Sequence, residues 1–343
     1  MLDKRQQSCG GGGGSRRVQL AHNYDDIISV ENLLSAWQEF IRGKRNKPDV
    51  QAFQLRLMDN ILELHRDLKG GEYRHGPYHA FKINDPKPRD IHKASVRDRL
   101  VHHAIYRILY PFFDRTFIAD SYSCREGKGT HRAFNRFRSF SYQVSKNHTR
   151  NCWVLKCDIK KFFASIDHHI LFAILARYIT DERMQTLLVE IVRSFYSSAP
   201  YKGLPLGNLT SQLLVNIYMN EFDQYVKLRL KAKYYIRYAD DFVIFSHEKA
   251  HLIALLPEIK HFLACNLALT LHPHKVSIST IAAGIDFLGW VHFPDHRVLR
   301  TTTTRRAVRN CAGRDEDDSV AKSYAGLCAW GNAYRISQKL LYS

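Results

Sequence analysis

The chain has 343 residues, 45% of them hydrophobic and 12% aromatic, with 51 Lys plus Arg against 33 Asp plus Glu for a formal net charge of +18. That length and apolar content suffice for one large or two medium cores and exclude a disordered chain, while the charge exceeds what solubility requires and points to a polyanionic partner, nucleic acid before an anionic membrane. No apolar run approaches the roughly 20 residues of a membrane span and the N-terminus lacks an apolar signal core, so no membrane association or secretion is expected and a cytoplasmic location is.

In chain order, residues 1–22 read as a flexible lead built on the Gly10–Gly14 tract. Helical periodicity begins near Val30 in VENLLSAWQEFIRGKR, and a second amphipathic stretch from Val50 to Leu68 stops at Gly70-Gly71. YHAFKINDPKPRDI reads as two short strands about the turn NDPKP, followed by a basic helix from Ser95 to Leu109. A glycine-containing basic loop, SYSCREGKGTHRAF, leads into another helix. CWVLKCDIKKFFASID is a strand ending in a polar turn, with a helix after Asp167 and another over 182–196. GLPLGNLTSQ is a glycine turn entering a long helix, and YYIRYADDFVIFS is a strand pair. A helix over 249–266, strands around LTLHPHKVSIS and IDFLGWVHF, and a basic helical C-terminal segment complete the pattern. Seven cysteines without a CxxC pair are read as reduced thiols. No histidines form a HExxH arrangement, and His102-His103 and His168-His169 are read as packing or surface residues.

The chemistry concentrates on three carboxylates. Asp240 and Asp241 stand side by side in the otherwise apolar RYADDFVIF, and Asp158 closes the apolar run CWVLKC. Adjacent aspartates alone most often make a turn. Buried between apolar residues, however, two like charges are costly unless a cation balances them. Three carboxylates on neighbouring strands form an oxygen-ligand site suited to Mg²⁺, which binds few carboxylates and completes its shell with substrate phosphates. A pair of such ions activates an attacking hydroxyl and stabilises the leaving oxygen in phosphoryl transfer. In a strongly basic protein this reads as a nucleotidyl transferase or a metal-dependent nuclease. The turn in GLPLGNLTSQ lets backbone approach a ligand and favours the transferase.

Together these segments resemble the reverse transcriptase family over residues 75–335. DIKKFF resembles its first catalytic motif, which makes Asp158 a metal ligand, adds the Ile159 carbonyl, and puts Phe163 at the position that disfavours ribonucleotides. YADD resembles the second, with Asp240 and Asp241. GLPLGNLTSQ resembles the motif packing on template and nucleotide, HPHKVSI supplies Lys275, and FLGW resembles the primer grip. KPRDI and SCREGKGTHRAF resemble fingers motifs, which implies that Arg89 and Arg125 contact the triphosphate or template. The resemblance implies an α+β right-hand polymerase fold: N-terminal helices and fingers over 23–150, palm over 151–293 and thumb over 294–343. Arg305, Arg306 and Arg309 would follow the nucleic-acid backbone.

Within the family, Leu206 stands before Gly207 where most members carry Gln, and Ser211-Gln212 replaces Ser-Pro. This pattern resembles the reverse transcriptases of diversity-generating retroelements. They copy template RNA into cDNA with errors opposite adenine, in mutagenic retrohoming. The resemblance implies dNTPs, template RNA and cDNA as substrates and products, and two Mg²⁺ ions with Mn²⁺ as a substitute. It also implies a structured retroelement RNA and a small basic oligomeric accessory protein of the variability-determinant type. Removing the Gln side chain loosens base-pair positioning, so Leu206, Gln212 and Arg89 are expected to bear on fidelity. The alternatives are a group II intron, retron or antiviral-defence reverse transcriptase, and an inactive RNA-binding polymerase fold.

Overall fold

A computed structural model of the chain describes residues 18–84, 88–197, 199–314 and 318–334. Most of the glycine-rich lead and the centre of the NDPKP turn therefore lie outside the described residues. The chain forms two compact units, one from residues up to Phe112 with His168–Phe195, the other from Phe113–Asp167 with Tyr196 onward.

The first unit opens with four helices, α1 (Tyr24–Ile28), α2 (Val30–Phe40), α3 (Pro48–Gln54) and α4 (Leu57–Gly70). Asn23 and Ser29 cap α1 and α2 by accepting backbone N–H groups, which satisfies donors the first helical turn leaves open. The apolar stretch from Val50 to Leu68 is two helices, not one. Arg56 leaves helical geometry at φ −123 and ψ 41. Helix α4 ends on Gly71 at φ 74, a left-handed cap that glycine adopts without strain. Leu33, Trp37, Phe40, Ile61 and Leu64 are fully buried. Strands β1 (His79–Ile83) and β2 (Arg89–Lys93) form an antiparallel hairpin. Helix α5 (Val96–Asp114) runs past the expected end at Leu109 and carries Pro111. His102 is buried in this unit, as its packing role required.

In the second unit α6 (Thr130–Val144) precedes β3 (Trp153–Asp158) and the single turn α7 (Phe162–Ser165). Helices α8 (His168–Ala176) and α9 (Glu182–Arg193) return to the first unit. The second unit resumes with α10 (Leu209–Gln224), strands β4 (Tyr235–Tyr238) and β5 (Asp241–Ser246), and α11 (Lys249–Leu267). Strands β6 (Ser277–Thr280), β7 (Ile285–Phe287), β8 (Trp290–His292) and β9 (Arg297–Leu299) precede α12 (Thr301–Cys311) and α13 (Ser319–Cys328). The last of these strands was not expected from the sequence. The site rests on the antiparallel sheet β4-β5-β3-β6. Phe137, Phe140 and Val144 of α6 pack with Val154, Ile236, Val243 and Phe245 of that sheet. Phe222 of α10 meets Phe242 of the same sheet at a ring separation of 5.1 Å. Residues 113–150 thus belong to the same unit as that sheet. The six described cysteines are free thiols. No described helix is long and apolar enough to cross a membrane.

Candidate active site

Strands β3 and β5 are antiparallel neighbours whose register sets Asp158 directly opposite Asp241. Such partners have Cα atoms about 5 Å apart, so the two carboxylates share one end of the sheet. Asp240 lies in the two-residue loop joining β4 to β5, after Ala239 at φ +55. A positive φ at the first loop position suits the strand twist of a hairpin but strains any residue other than glycine. The Ile159 N–H donates to the Asp240 carbonyl at 3.2 Å, which ties the loop to the end of β3. The Asp158 carbonyl in turn accepts from the His272 N–H at 2.7 Å.

The electrostatics set the two facing carboxylates apart. Asp158 is 17% exposed, and the Lys275 ammonium spans both of its oxygens at 3.0 Å. Asp241 is 18% exposed, with the Lys156 ammonium 3.9 Å away and the Oδ1 oxygen enclosed without a hydrogen-bond partner. Burial pushes its carboxyl up to about 7. Lys156 opposes the shift, and the charges of Asp158, Asp240 and Asp286 add to it. A buried carboxylate held this far from its ordinary value costs stability when ionised, which is common where a fold keeps a group for chemistry.

The residues present fit a hard divalent cation. The donor set is all carboxylate oxygen, one enclosed oxygen has no partner, and a cationic ammonium already grips the facing aspartate. Among the described residues, no group of three or more His, Cys, Asp or Glu side chains forms a ready metal-holding cluster. Mg²⁺ does not need one, because water and substrate phosphates fill the rest of its shell.

The glycine motif is brought to the same unit. Leu204 N–H donates to the Phe163 carbonyl at 2.8 Å, and Gly203 N–H to the Ile166 carbonyl at 2.8 Å. Phe162 is buried while its neighbour Phe163 is half-buried, so Phe162 takes the core role and leaves Phe163 partly open. Leu206 is half-buried, Gly207 is exposed at φ +105, and Gln212 sits in the first turn of α10. Arg305 and Arg309 are exposed on α12, and the Arg306 Nε donates to the Tyr324 hydroxyl at 3.2 Å. Arg89 lies in the first unit, exposed on β2 opposite Ile83.

Arg125, expected to contact triphosphate or template, is bonded within its own segment. Its side chain is 5% exposed and pairs with Asp114 at 2.6 Å, while its remaining donors reach the carbonyls of Asp114, Ile118 and Ser121. With four of its five N–H groups bonded inside its own segment, this guanidinium has little left to offer a triphosphate. Two residues not singled out in the sequence belong to the site instead. Lys156, two positions before Asp158 on the same face of β3, faces Asp241, and Arg237 is fully buried just before the Ala239-Asp240 turn. A charged residue inside each of the apolar runs WVLKC and YYIRY was the available signal.

A family model described as reverse transcriptase (RNA-dependent DNA polymerase) matches residues 82–292. Protein YkfC of Escherichia coli (strain K12) is 29% identical over 289 residues, covering 72% of this chain and 73% of that protein. Group II intron-encoded protein LtrA of Lactococcus lactis subsp. cremoris is 28% identical over 184 residues, covering 51% of this chain and 29% of that protein. A chain of the partial Cas6-RT-Cas1--Cas2 complex is similar at a TM-score of 0.44 and 20% identity, over 71% of this chain and 43% of that one. A likeness that loose carries no argument. The α+β fold is the right-hand polymerase fold, and the family match runs from β1 to β8 with all three aspartates inside it. The chain belongs to the reverse transcriptase (RNA-dependent DNA polymerase) family.

Proposed function

We propose that this protein extends a primer on an RNA template, joining the primer 3′-hydroxyl to the α-phosphate of a dNTP with release of pyrophosphate. The observation that carries this reading is the register pair Asp158–Asp241, with Asp240 in the adjoining turn and one oxygen of Asp241 enclosed without a partner. Asp158, Asp240 and Asp241 would hold two Mg²⁺ ions, or Mn²⁺ in their place, with the Ile159 carbonyl as a backbone ligand. When bound, such ions lower the pKa of the attacking hydroxyl and neutralise charge on the leaving group.

The chain's own residues supply the rest. Phe163, half-open beside the glycine motif, would pack against an incoming sugar and exclude a 2′-hydroxyl. Lys275 is an exposed cation paired with Asp158, and would assist the leaving pyrophosphate. Arg89 is the proposed triphosphate contact, since Arg125 is committed elsewhere. Arg305, Arg306 and Arg309 would neutralise backbone phosphates without reading sequence.

We further infer that the enzyme copies RNA with errors at template adenines, as part of a diversity-generating retroelement with its own structured RNA and basic accessory protein. The support is the Leu206-Gly207 and Ser211-Gln212 departure, which leaves an aliphatic side chain where a polar one would hold a base or backbone. Fidelity is a difference between transition-state energies, so losing one directional contact narrows it. A second reading, an intron-type enzyme, is favoured by the similarity to the group II intron-encoded protein. Sequencing cDNA made by the wild type and by Leu206→Gln separates the two. The retroelement reading expects misincorporation concentrated at template adenines and reduced in the variant. Uniformly faithful cDNA from both proteins would favour the intron-type reading.

A further inference from the structure

Arg237 is the best-connected buried charge in the second unit. It is 0% exposed, and its guanidinium grips both oxygens of Asp223, Nε to Oδ1 at 2.8 Å and Nη2 to Oδ2 at 2.7 Å. Three further contacts go to different segments. Nη1 donates to the Asn216 Oδ1 at 3.2 Å and to the Ala239 carbonyl at 3.2 Å, and Nη2 donates to the Ser121 hydroxyl at 3.1 Å. Its backbone pairs with the same loop as Ser121, accepting from Tyr122 N–H and donating to the Asp120 carbonyl, each at 3.0 Å. The partners are themselves tied down. Tyr235 donates its hydroxyl to Asp223 at 2.7 Å, and the Asn216 amide donates to the Ser123 carbonyl at 2.9 Å.

One planar group thus joins α10, the 119–125 loop and the turn that carries Asp240. The turn needs such a clamp. Ala239 sits at φ +55, a strained conformation for a residue with a Cβ that persists only where surrounding contacts impose it. The Ile159 N–H pins the turn from β3 through the Asp240 carbonyl, and Arg237 pins it through the Ala239 carbonyl. Helix α10 begins at Leu209, two residues after Gly207, so the same guanidinium fixes the Asp240 turn against the element that carries Gln212.

We propose that Arg237 is a positioning residue for nucleotidyl transfer: it sets Asp240 relative to Asp158 and to α10 without touching substrate or metal. The proposal rests on the polymerase reading above. A buried ion pair alone would be weak evidence, because replacing both charges with neutral groups is often harmless to stability. That property makes the proposal testable. Arg237→Met/Asp223→Asn removes both charges while leaving an acceptor for Tyr235. Arg237→Lys keeps the charge, but one ammonium cannot reach Asp223, Asn216, Ala239 and Ser121 together.

The full chain in wild-type form and both variants is compared by circular dichroism, thermal unfolding, Mn²⁺ affinity without nucleotide, and single-nucleotide addition on a primed RNA. Folded variants are expected to bind primer–template within about twofold of wild type while kcat falls about tenfold or more, since support residues behind a metal site carry effects of that order. The KM for dNTP should move far less than kcat, and Mn²⁺ affinity should weaken about tenfold. A double variant that melts like wild type and keeps its kcat and Mn²⁺ affinity would overturn the proposal and leave Arg237 a fold-stabilising residue. If the double variant does not fold, Arg237→Lys decides by the same readouts. A wild type that binds Mn²⁺ yet adds no nucleotide contradicts the polymerase reading, and the Mn²⁺ comparison still decides the role of Arg237.

Discussion

Asp241 is the residue where stability and chemistry oppose each other. Burial raises its carboxyl to about 7, so in metal-free protein this group contributes stability below its ordinary range and loses it as pH rises through 7. At pH 8 in a chelator, Asp241→Asn should therefore raise the melting temperature by about 2 °C or more, while abolishing nucleotide addition. A variant melting lower than wild type would show that Lys156 already compensates the charge. Lys275 gives the complementary case. It is half-exposed and competes for Asp158 with any incoming cation, so Lys275→Ala should tighten Mn²⁺ binding about two- to fivefold, the scale of one solvent-exposed ion pair. Unchanged or weaker binding in a Mn²⁺ titration would contradict that competition. The meeting of Asp158 and Asp241 was legible because acidic residues inside apolar strands are costly to bury and stand out in the sequence. Arg237 was not, because its partner Asp223 lies 14 residues away on a helix and only the fold brings them together.

At the scale of elements, periodicity placed most helices and strands, and local backbone geometry moved their ends. The stretch from Val50 to Leu68 keeps a helical apolar pattern across a break at Arg56 that no glycine or proline announces. Strand β9 is three residues long and pairs only with β8, too short to leave a signature of alternation. The motif around Gly207 was readable as a turn before a helix, whereas its anchoring to Phe163 by a backbone hydrogen bond depends on tertiary structure. The loop motif around Arg125 misled for a physical reason. A basic glycine loop suggests anion binding, but this arginine is consumed by Asp114 and three carbonyls of its own segment.

For the whole molecule, the buried His102 and His292 and the half-buried His103 set the acid limit. Burial, reinforced by His75, holds His102 down at about 3, and burial holds His103 and His292 at about 4, with Lys44 lowering the first of these further and the Phe287 carbonyl opposing the shift in the second. The fold keeps these rings neutral, so their contribution is complete above the ordinary imidazole value of 6.5 and is lost as pH falls toward 4 and then 3. Asp241 runs the other way over part of that range, but one carboxyl is set against three imidazoles. Stability should fall between about pH 6.5 and 4, by up to about 1.4 kcal/mol per unit for each histidine. His102→Leu should flatten that limb in chemical unfolding at stepped pH, and an unchanged slope would remove His102 from the account.

The net charge of +18 read at the outset belongs to this scale too, and accords with membership of a family described as RNA-dependent DNA polymerases. The most direct test of the central claim is primer extension on an RNA template with dNTPs and Mg²⁺, wild type beside Asp240→Asn, with RNA binding measured on both. The account predicts DNA product from the wild type, none from the variant, and equal RNA binding. Full synthesis by Asp240→Asn would contradict it.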